Sequence, residues 1–80
     1  MMSKGQRARI IERAKYLYRN ILQHEADTDG FQHELFMAQY VGFKTGVYMA
    51  YPKGKWDQAF NKAYYEVREE LGLGNNTNES

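Results

Sequence analysis

The sequence predicts an all-α protein that folds as one compact three-helix domain. Three segments carry apolar residues at alternating spacings of three and four, which places those side chains on one face of an α-helix. Helix-start and helix-stop residues separate the segments, and 80 residues suit one small domain. We expect residues 1–74 to form this domain and residues 75–80, which lack apolar side chains, to form a disordered tail.

The first predicted helix runs from about Lys4 to His24. Ser3 and Gln6 have the spacing of a capping box, in which each side chain bonds to the backbone amide of the other residue. This spacing fixes the start of the helix. Its apolar stripe contains Ile10, Ile11, Ala14, Leu17, Tyr18, Ile21 and Leu22. We expect the stripe to face the core and the cations of the segment to face water.

The second predicted helix runs from about Phe31 to Tyr51, with Asp29 as its cap and Gln32 three residues later. Pro52 ends it because the residue before a proline disfavours the helical conformation. It carries the small and apolar residues Phe31, Leu35, Ala38, Val41, Val47 and Met49.

The middle of this second segment leaves alternatives open. Gly42 and Gly46 each cost about 1 kcal/mol relative to alanine in a helix, so the helix either continues, kinks at these glycines, or gives way to a β-hairpin over residues 39–51. We favour the helix because small residues recur at steps of four and form a flat ridge for close helix packing. The ridge contains Ala38, Gly42, Gly46 and Ala50. We expect a helix of the same chain to pack there, with a second copy, and hence a homodimer, as the alternative.

The third predicted helix begins at Trp56 and has the clearest pattern. Asp57 lies in the first turn, where the helix dipole favours an acid, and Gly72 occupies the position of a left-handed cap. Leu73 is placed to fold back on the last turn. The apolar stripe contains Trp56, Ala59, Phe60, Ala63, Tyr64, Val67 and Leu71.

Composition excludes several classes of function. The chain has no cysteine, which rules out disulfides, thiolate metal ligands and thiol catalysis. No apolar run reaches the roughly 18 residues of a membrane span, and the basic start lacks the apolar region of a secretory signal. We therefore expect a cytoplasmic protein without a membrane partner.

Positive charge is concentrated in the first helix, although the net charge of the chain is only +1. Cations at this density can follow phosphates, and Tyr16 can stack on an exposed base. The candidate nucleic-acid-binding residues are Lys4, Arg7, Arg9, Arg13, Lys15, Tyr16 and Arg19. The alternative is an ordinary solvated helix face.

Seven tyrosines are more than so small a core can hold. Tyrosine and arginine are frequent anchors of protein interfaces, so Tyr40, Tyr48, Tyr51 and Tyr65 are the candidate protein-interface residues. The alternative is a second apolar layer around the glycines of the middle helix.

No catalytic or metal site is predicted, and no cofactor. His24 and His33, with nearby carboxylates, lack the i, i+4 spacing that directs two imidazoles at one metal. The segment Asp27-Thr-Asp29-Gly30 resembles a calcium loop, but Phe36 stands where that loop requires its bidentate glutamate. We therefore expect a protein that is not an enzyme.

In overall format, "MSKGQRARIIERAKYLYRN" followed by a tyrosine-rich body and a short polar tail resembles the small accessory proteins that tailed phages make to redirect or block host machinery. The resemblance implies action by occupying a host protein, an RNA, or a protein–RNA complex such as an RNA-bound toxin or a nuclease. Our leading prediction is a non-enzymatic protein whose basic first helix binds RNA or a protein–RNA complex. The alternative is a protein–protein inhibitor or adaptor that uses tyrosines and the third helix.

Overall fold

The computed structural model of the protein describes residues 3–25 and 30–73. It contains three helices, which we name α1 (Lys4–Gln23), α2 (Phe31–Ala50) and α3 (Trp56–Glu70). α1 packs against both of the other helices, whereas α2 and α3 approach each other less closely. The predicted all-α three-helix fold is therefore confirmed. The alternative hairpin does not form, because residues 39–50 belong to α2. The predicted disordered tail lies outside the described residues.

The start of α1 is fixed by the predicted capping box. The backbone N–H of Gln6 donates to Ser3 Oγ at 3.1 Å, and the backbone N–H of Ser3 donates to Gln6 Oε1 at 3.1 Å. Two backbone donors that a helix start leaves unsatisfied are thereby paired. α1 ends one residue earlier than predicted, with His24 as its C-cap.

The boundaries of α2 and α3 also follow local chemistry. Gly30, the residue before α2, has a φ of 69°, a left-handed value that glycine tolerates. The predicted cap Asp29 lies outside the described residues. At the end of α3, Gly72 has a φ of 78°, and its N–H donates to the Glu69 carbonyl at 3.0 Å. The N–H of Leu73 donates to the Arg68 carbonyl at 2.8 Å, which completes a Schellman motif and confirms the predicted cap.

The core is formed by the predicted stripes of α1 and α3. Ala14, Leu17 and Val67 are completely buried, and Phe60 and Ala63 are nearly so. Trp56 closes the core at the start of α3, where its indole N–H donates to the Tyr51 carbonyl at 2.9 Å. Burying a leucine, valine or phenylalanine side chain contributes about 1.5–3 kcal/mol, so these stripes supply most of the driving force for folding.

Most of the apolar residues that mark α2 in the sequence do not face the core. Of the six, only Val47 is buried, and the other five are exposed: Phe31, Leu35, Ala38, Val41 and Met49. α2 instead turns an inner, largely aromatic stripe toward the other helices: Tyr40, Phe43 and Val47 pack in the core, and Phe36 packs against Tyr16. Because α2 is apolar on both sides, its hydrophobic spacing did not distinguish the inner face from the outer one.

The small-residue ridge of α2 does not pack within the chain, contrary to expectation. A Cβ atom added at Gly42 or Gly46 would meet no atom of the described residues within 4 Å beyond its own helix and chain neighbours. Ala38 and Ala50 are likewise exposed. The glycines are therefore not required by any close approach to α1 or α3.

Candidate nucleic-acid interface

An open groove of about 660 Å³ lies where the first half of α1 meets the α2–α3 loop and the start of α3. We call it the basic groove. Its charged lining residues are Arg7, Lys53, Lys55, Lys62 and Glu66. Lys4 lines an adjoining recess of about 490 Å³ that shares Arg7 and Lys53. The groove is therefore lined by four cations and one carboxylate.

Arg7 is held rigidly at the centre of this region. Its Nη1 donates to the Gly54 carbonyl at 2.8 Å, and its guanidinium carbon lies 4.6 Å from the centroid of the Trp56 ring. Stacking on an aromatic face and a hydrogen bond to the backbone fix the orientation of the planar guanidinium. Only one of the five N–H donors of Arg7 is used by Gly54, so the group retains capacity to bind an anion.

The lysines of the region are exposed. Within residues 3–25 and 30–73, Lys4, Lys53 and Lys55 form no ion pair shorter than 4 Å. Lys55 is also the residue that precedes α3, in a left-handed conformation with a φ of 55° and without a side-chain cap on the helix. The positive end of the α3 dipole lies beside these lysines, with Asp57 in the first turn as its counter-charge.

The carboxylate of the groove is already paired. Lys15 Nζ lies 2.9 Å from Glu66 Oε1. The hydrogen bond from Lys15, with the charges of Lys15 and Lys62, holds the pKa of Glu66 below its usual value. Glu66 is thus ionised at neutral pH, and the positive charge of Lys15 offsets it.

The predicted nucleic-acid-binding residues divide into three groups in the structure. Lys4 and Arg7 border the basic groove and its recess. Arg9 and Arg13 are exposed on another side of α1, where the Arg13 guanidinium carbon lies 5.0 Å from the centroid of the Tyr16 ring. Tyr16 also meets the edge of Phe36 at a centroid distance of 6.3 Å, so this second cluster combines cations with a partly exposed ring.

The third group, Lys15 and Arg19, joins α1 to α3. Arg19 Nε donates to Glu70 Oε2 at 2.6 Å and Arg19 Nη2 donates to Glu70 Oε1 at 3.2 Å, which makes a two-pronged pair. These bonds raise the pKa of Arg19 and lower that of Glu70. The Arg19–Glu70 and Lys15–Glu66 pairs therefore neutralise two cations that were predicted to bind nucleic acid.

Three of the four candidate interface tyrosines hold the helices together. The hydroxyls of Tyr18 and Tyr40 lie 2.6 Å apart, the Tyr48 hydroxyl donates to Asp57 Oδ1, and Tyr51 packs beside the core cluster. Burial first, and then the hydrogen bond with Tyr40, raises the pKa of Tyr18. Tyr40, Tyr48 and Tyr51 therefore serve as connections between elements.

Tyr65 differs from the other interface candidates. It is 51% exposed, and its ring lies against that of Tyr64 at a centroid distance of 5.5 Å. Of the four tyrosines it offers the largest exposed surface to a partner.

Sequence reasoning missed Lys53, Lys55 and Lys62. The segment Lys53-Gly-Lys55 carries a local signal, since two lysines flank a glycine of the kind that forms turns. That this turn lies beside the start of α1 depends on how the helices pack. No local spacing contains that information.

The residues near the α1–α2 loop form no metal cluster in the part of the chain that the structure describes. The His24 imidazole is stacked on Phe36, with ring planes 5° apart and centroids 5.8 Å apart. Asp27 and Asp29 lie outside the described residues.

No helix of the described residues has the length and apolar character needed to cross a membrane. In comparisons with known proteins, no family model, no curated protein and no solved structure matches the chain.

Proposed function

We propose that this chain is a non-enzymatic protein that binds RNA, alone or in a protein–RNA complex, through the basic groove. One observation carries the proposal: Lys53, Lys55 and Lys62, from outside α1, join Arg7 around a single open groove whose one carboxylate is already paired. Cations from separate elements converge on one surface, a more specific arrangement than the solvated face of a single helix.

The chemistry of the groove suits a phosphate backbone. Each lysine ammonium can neutralise one phosphate and release its condensed counterions, while the fixed guanidinium of Arg7 presents a planar donor set to phosphate oxygens. The exposed cluster of Arg9, Arg13 and Tyr16 offers a second contact on α1, in which Tyr16 can stack on an unpaired base. A single-stranded segment is flexible enough to follow such an irregular surface.

Two charge-matched double variants test the groove. Lys53→Gln/Lys55→Gln removes two positive charges from it, and Arg9→Gln/Arg13→Gln removes two from the other side of α1. Affinity for a labelled single-stranded RNA of mixed sequence is measured by fluorescence anisotropy at several salt concentrations. We expect the groove variant to lose at least tenfold in affinity, and its salt slope to fall by about 0.7 for each lost phosphate contact.

The outcomes separate the alternatives. A loss confined to the Arg9/Arg13 variant would keep RNA binding but move the site from the groove to the α1 surface. Equal binding by both variants and the wild type, or no salt-dependent binding by the wild type, would refute the nucleic-acid assignment. Circular dichroism confirms that each variant is folded.

Binding of this kind would allow the protein to act by occupation, as the phage-like format implies: it would cover an RNA or a ribonucleoprotein such as a toxin or nuclease of a host. The alternative, an inhibitor or adaptor that contacts a host protein through tyrosines, is less favoured. Tyr40 and Tyr48 are engaged by Tyr18 and Asp57, which leaves Tyr65 as its most exposed candidate.

A further inference from the structure

The outward side of α2 is an exposed apolar surface along a whole helix. Leu35 is 40% exposed, Val41 57% and Met49 78%, and Phe31 at the start of the helix is 61% exposed. We call this surface the outer face of α2; its central residues are Phe31, Leu35, Ala38, Gly42, Thr45 and Met49. A contiguous exposed apolar surface on a soluble domain marks an interaction site.

We propose that the outer face of α2 binds the same face of a second copy, in an antiparallel homodimer with a two-fold axis near residue 40. The proposal is independent of RNA binding, because the basic groove is formed by α1, the α2–α3 loop and α3. The large apolar side chains of the face make the proposed contact, and Gly42 determines how closely the two helices approach.

The spacing of the outer face is that of a helix–helix seam. Its central residues follow one another at steps of four, three, four, three and four, the alternation by which two helices interlock along their length. The inner aromatic stripe of α2 already packs on the core, so the helix presents two seams. Within the residues that the structure describes, the core packs on the inner seam.

The same residues are arranged symmetrically about the middle of the helix, as a two-fold contact between identical surfaces requires. In antiparallel pairing about residue 40, Phe31 is level with Met49 of the second copy, and Ala38 is level with Gly42. Bulky side chains then lie at both ends and small ones at the centre.

The charges of α2 favour the antiparallel orientation. Glu34 and Lys44 are its two residues with fully charged side chains. Lys44 lies on the inner side of α2, over the Tyr40 and Tyr48 rings, so the preference depends on Glu34 and on the helix dipole. Antiparallel pairing separates the two Glu34 residues by 12 positions, about 18 Å along the axis. Parallel pairing would instead place Glu34 level with Glu34 and align the helix dipoles unfavourably.

The apolar area of the outer face of α2 is large enough for a reversible dimer. Half-exposed side chains of this size each offer roughly 50–100 Å² of apolar surface, so the face provides on the order of 500 Å² per copy. Two copies would bury about 1,000 Å², the lower limit for a specific interface. We therefore expect an equilibrium between monomer and dimer that depends on concentration.

Analytical ultracentrifugation of the full chain tests the dimer, because the monomer has a mass of 9.4 kDa. Gly42→Glu places a charged side chain at the proposed axis without a clash in the monomer, since a Cβ there meets nothing. Gly5→Glu is the matched control, on an exposed glycine of α1. We expect dimerisation of the wild type and of the Gly5 variant, and at least tenfold weaker dimerisation of the Gly42 variant.

Cysteine cross-linking tests the orientation, because the natural chain has no thiol. In antiparallel pairing, Phe31→Cys and Met49→Cys form few disulfide dimers alone but cross-link when mixed, since a disulfide needs Cα atoms within about 7 Å. Efficient cross-linking of Phe31→Cys with itself would refute the antiparallel arrangement.

Two further results would overturn the dimer itself. The first is a wild-type chain that stays monomeric to millimolar concentration. The second is a dimer that Gly42→Glu leaves unchanged. Neither result bears on the RNA titration, so failure of the dimer and failure of the proposed function are distinguishable.

Discussion

Arg7 of α1 lies over the ring of Trp56 at the start of α3, with its guanidinium carbon 4.6 Å from the ring centroid. The same side chain donates to the Gly54 carbonyl at 2.8 Å. Gly54 lies in the loop between Tyr51 and Trp56, and the Trp56 indole N–H closes this loop by donating to the Tyr51 carbonyl. One arginine thus connects the first helix to the loop and to the core. The basic groove has its shape because this contact holds the loop beside α1.

Replacing Arg7 by alanine should destabilise the fold by about 1–2 kcal/mol, because the variant loses a cation–π contact and a backbone hydrogen bond. The free energy of unfolding is measured by urea denaturation followed by circular dichroism. Arg9→Ala is the control: Arg9 is exposed, so its replacement should change stability by less than about 0.5 kcal/mol. Equal effects of the two substitutions would show that the contact with Trp56 contributes nothing.

Replacing a glycine by alanine should destabilise the fold in the α2–α3 loop and stabilise it in α2. A Cβ at Gly54 would overlap the Trp56 indole, so Gly54→Ala forces the ring or the loop to move and should cost about 1–3 kcal/mol. Gly46→Ala meets open space inside a helix and should stabilise the monomer by up to about 1 kcal/mol. Thermal unfolding at low protein concentration measures both, and a destabilising Gly46→Ala would contradict the open outer face.

The ion pairs between α1 and α3 predict an acid-dependent loss of stability. Glu66 and Glu70 have pKa values in the folded protein below the usual 4.5, because Lys15 and Arg19 donate hydrogen bonds to them. Between the folded and unfolded pKa values the unfolded chain binds more protons, so stability rises with pH there. The contribution is fully present above about pH 4.5 and is lost as the pH falls through the folded pKa values.

Thermal unfolding between about pH 2.5 and pH 7, a range that spans the usual carboxyl pKa of about 4, measures this dependence. Glu66→Gln/Glu70→Gln should show a shallower loss in acid than the wild type, and added salt should narrow the difference. Glu69→Gln is the control, since Glu69 forms no ion pair within the described residues. An unchanged acid profile in the double variant would mean that the pairs do not form in solution.

The ends and stripes of α1 and α3 could be predicted from the sequence because their signals are local. Ser3 and Gln6 lie three residues apart, and Gly72 directly follows the last turn, so a few neighbouring residues determine the cap. The same holds for Phe60 and Val67, which lie on the one apolar face of an otherwise polar helix.

The orientation of α2 and the position of the basic groove could not be predicted in this way. α2 has two apolar faces, and the choice depended on whether Tyr40 and Phe43 fit against α1 and α3 better than Leu35 and Val41. The groove depends on long-range packing, and two predicted binding residues, Lys15 and Arg19, find carboxylates more than 50 residues away. Charge spacing along one helix does not reveal such partners.

Tyr48 should contribute to stability in a way that disappears at high pH. Its hydroxyl donates to Asp57, and this bond raises the pKa of Tyr48 to about 12, so the folded state favours the neutral phenol. Tyr48→Phe should lower the free energy of unfolding by about 0.5–1 kcal/mol near neutral pH, less than a buried bond to a charged acceptor contributes, because water reaches the pair. The contribution is fully present below about pH 10 and should vanish as the pH rises through about 12.

Urea denaturation of the wild type and the Tyr48→Phe variant at several alkaline pH values measures this difference. Tyr65→Phe is the control, because Tyr65 is half exposed and its hydroxyl forms no hydrogen bond with the described residues. Tyr48→Phe keeps the ring that stacks on Phe60 at 6.3 Å, so it removes only the hydroxyl. A stability difference that persists unchanged above pH 12 would contradict the hydrogen bond to Asp57 as its source. Convergence of the two curves would instead establish the hydroxyl as the connection between α2 and α3.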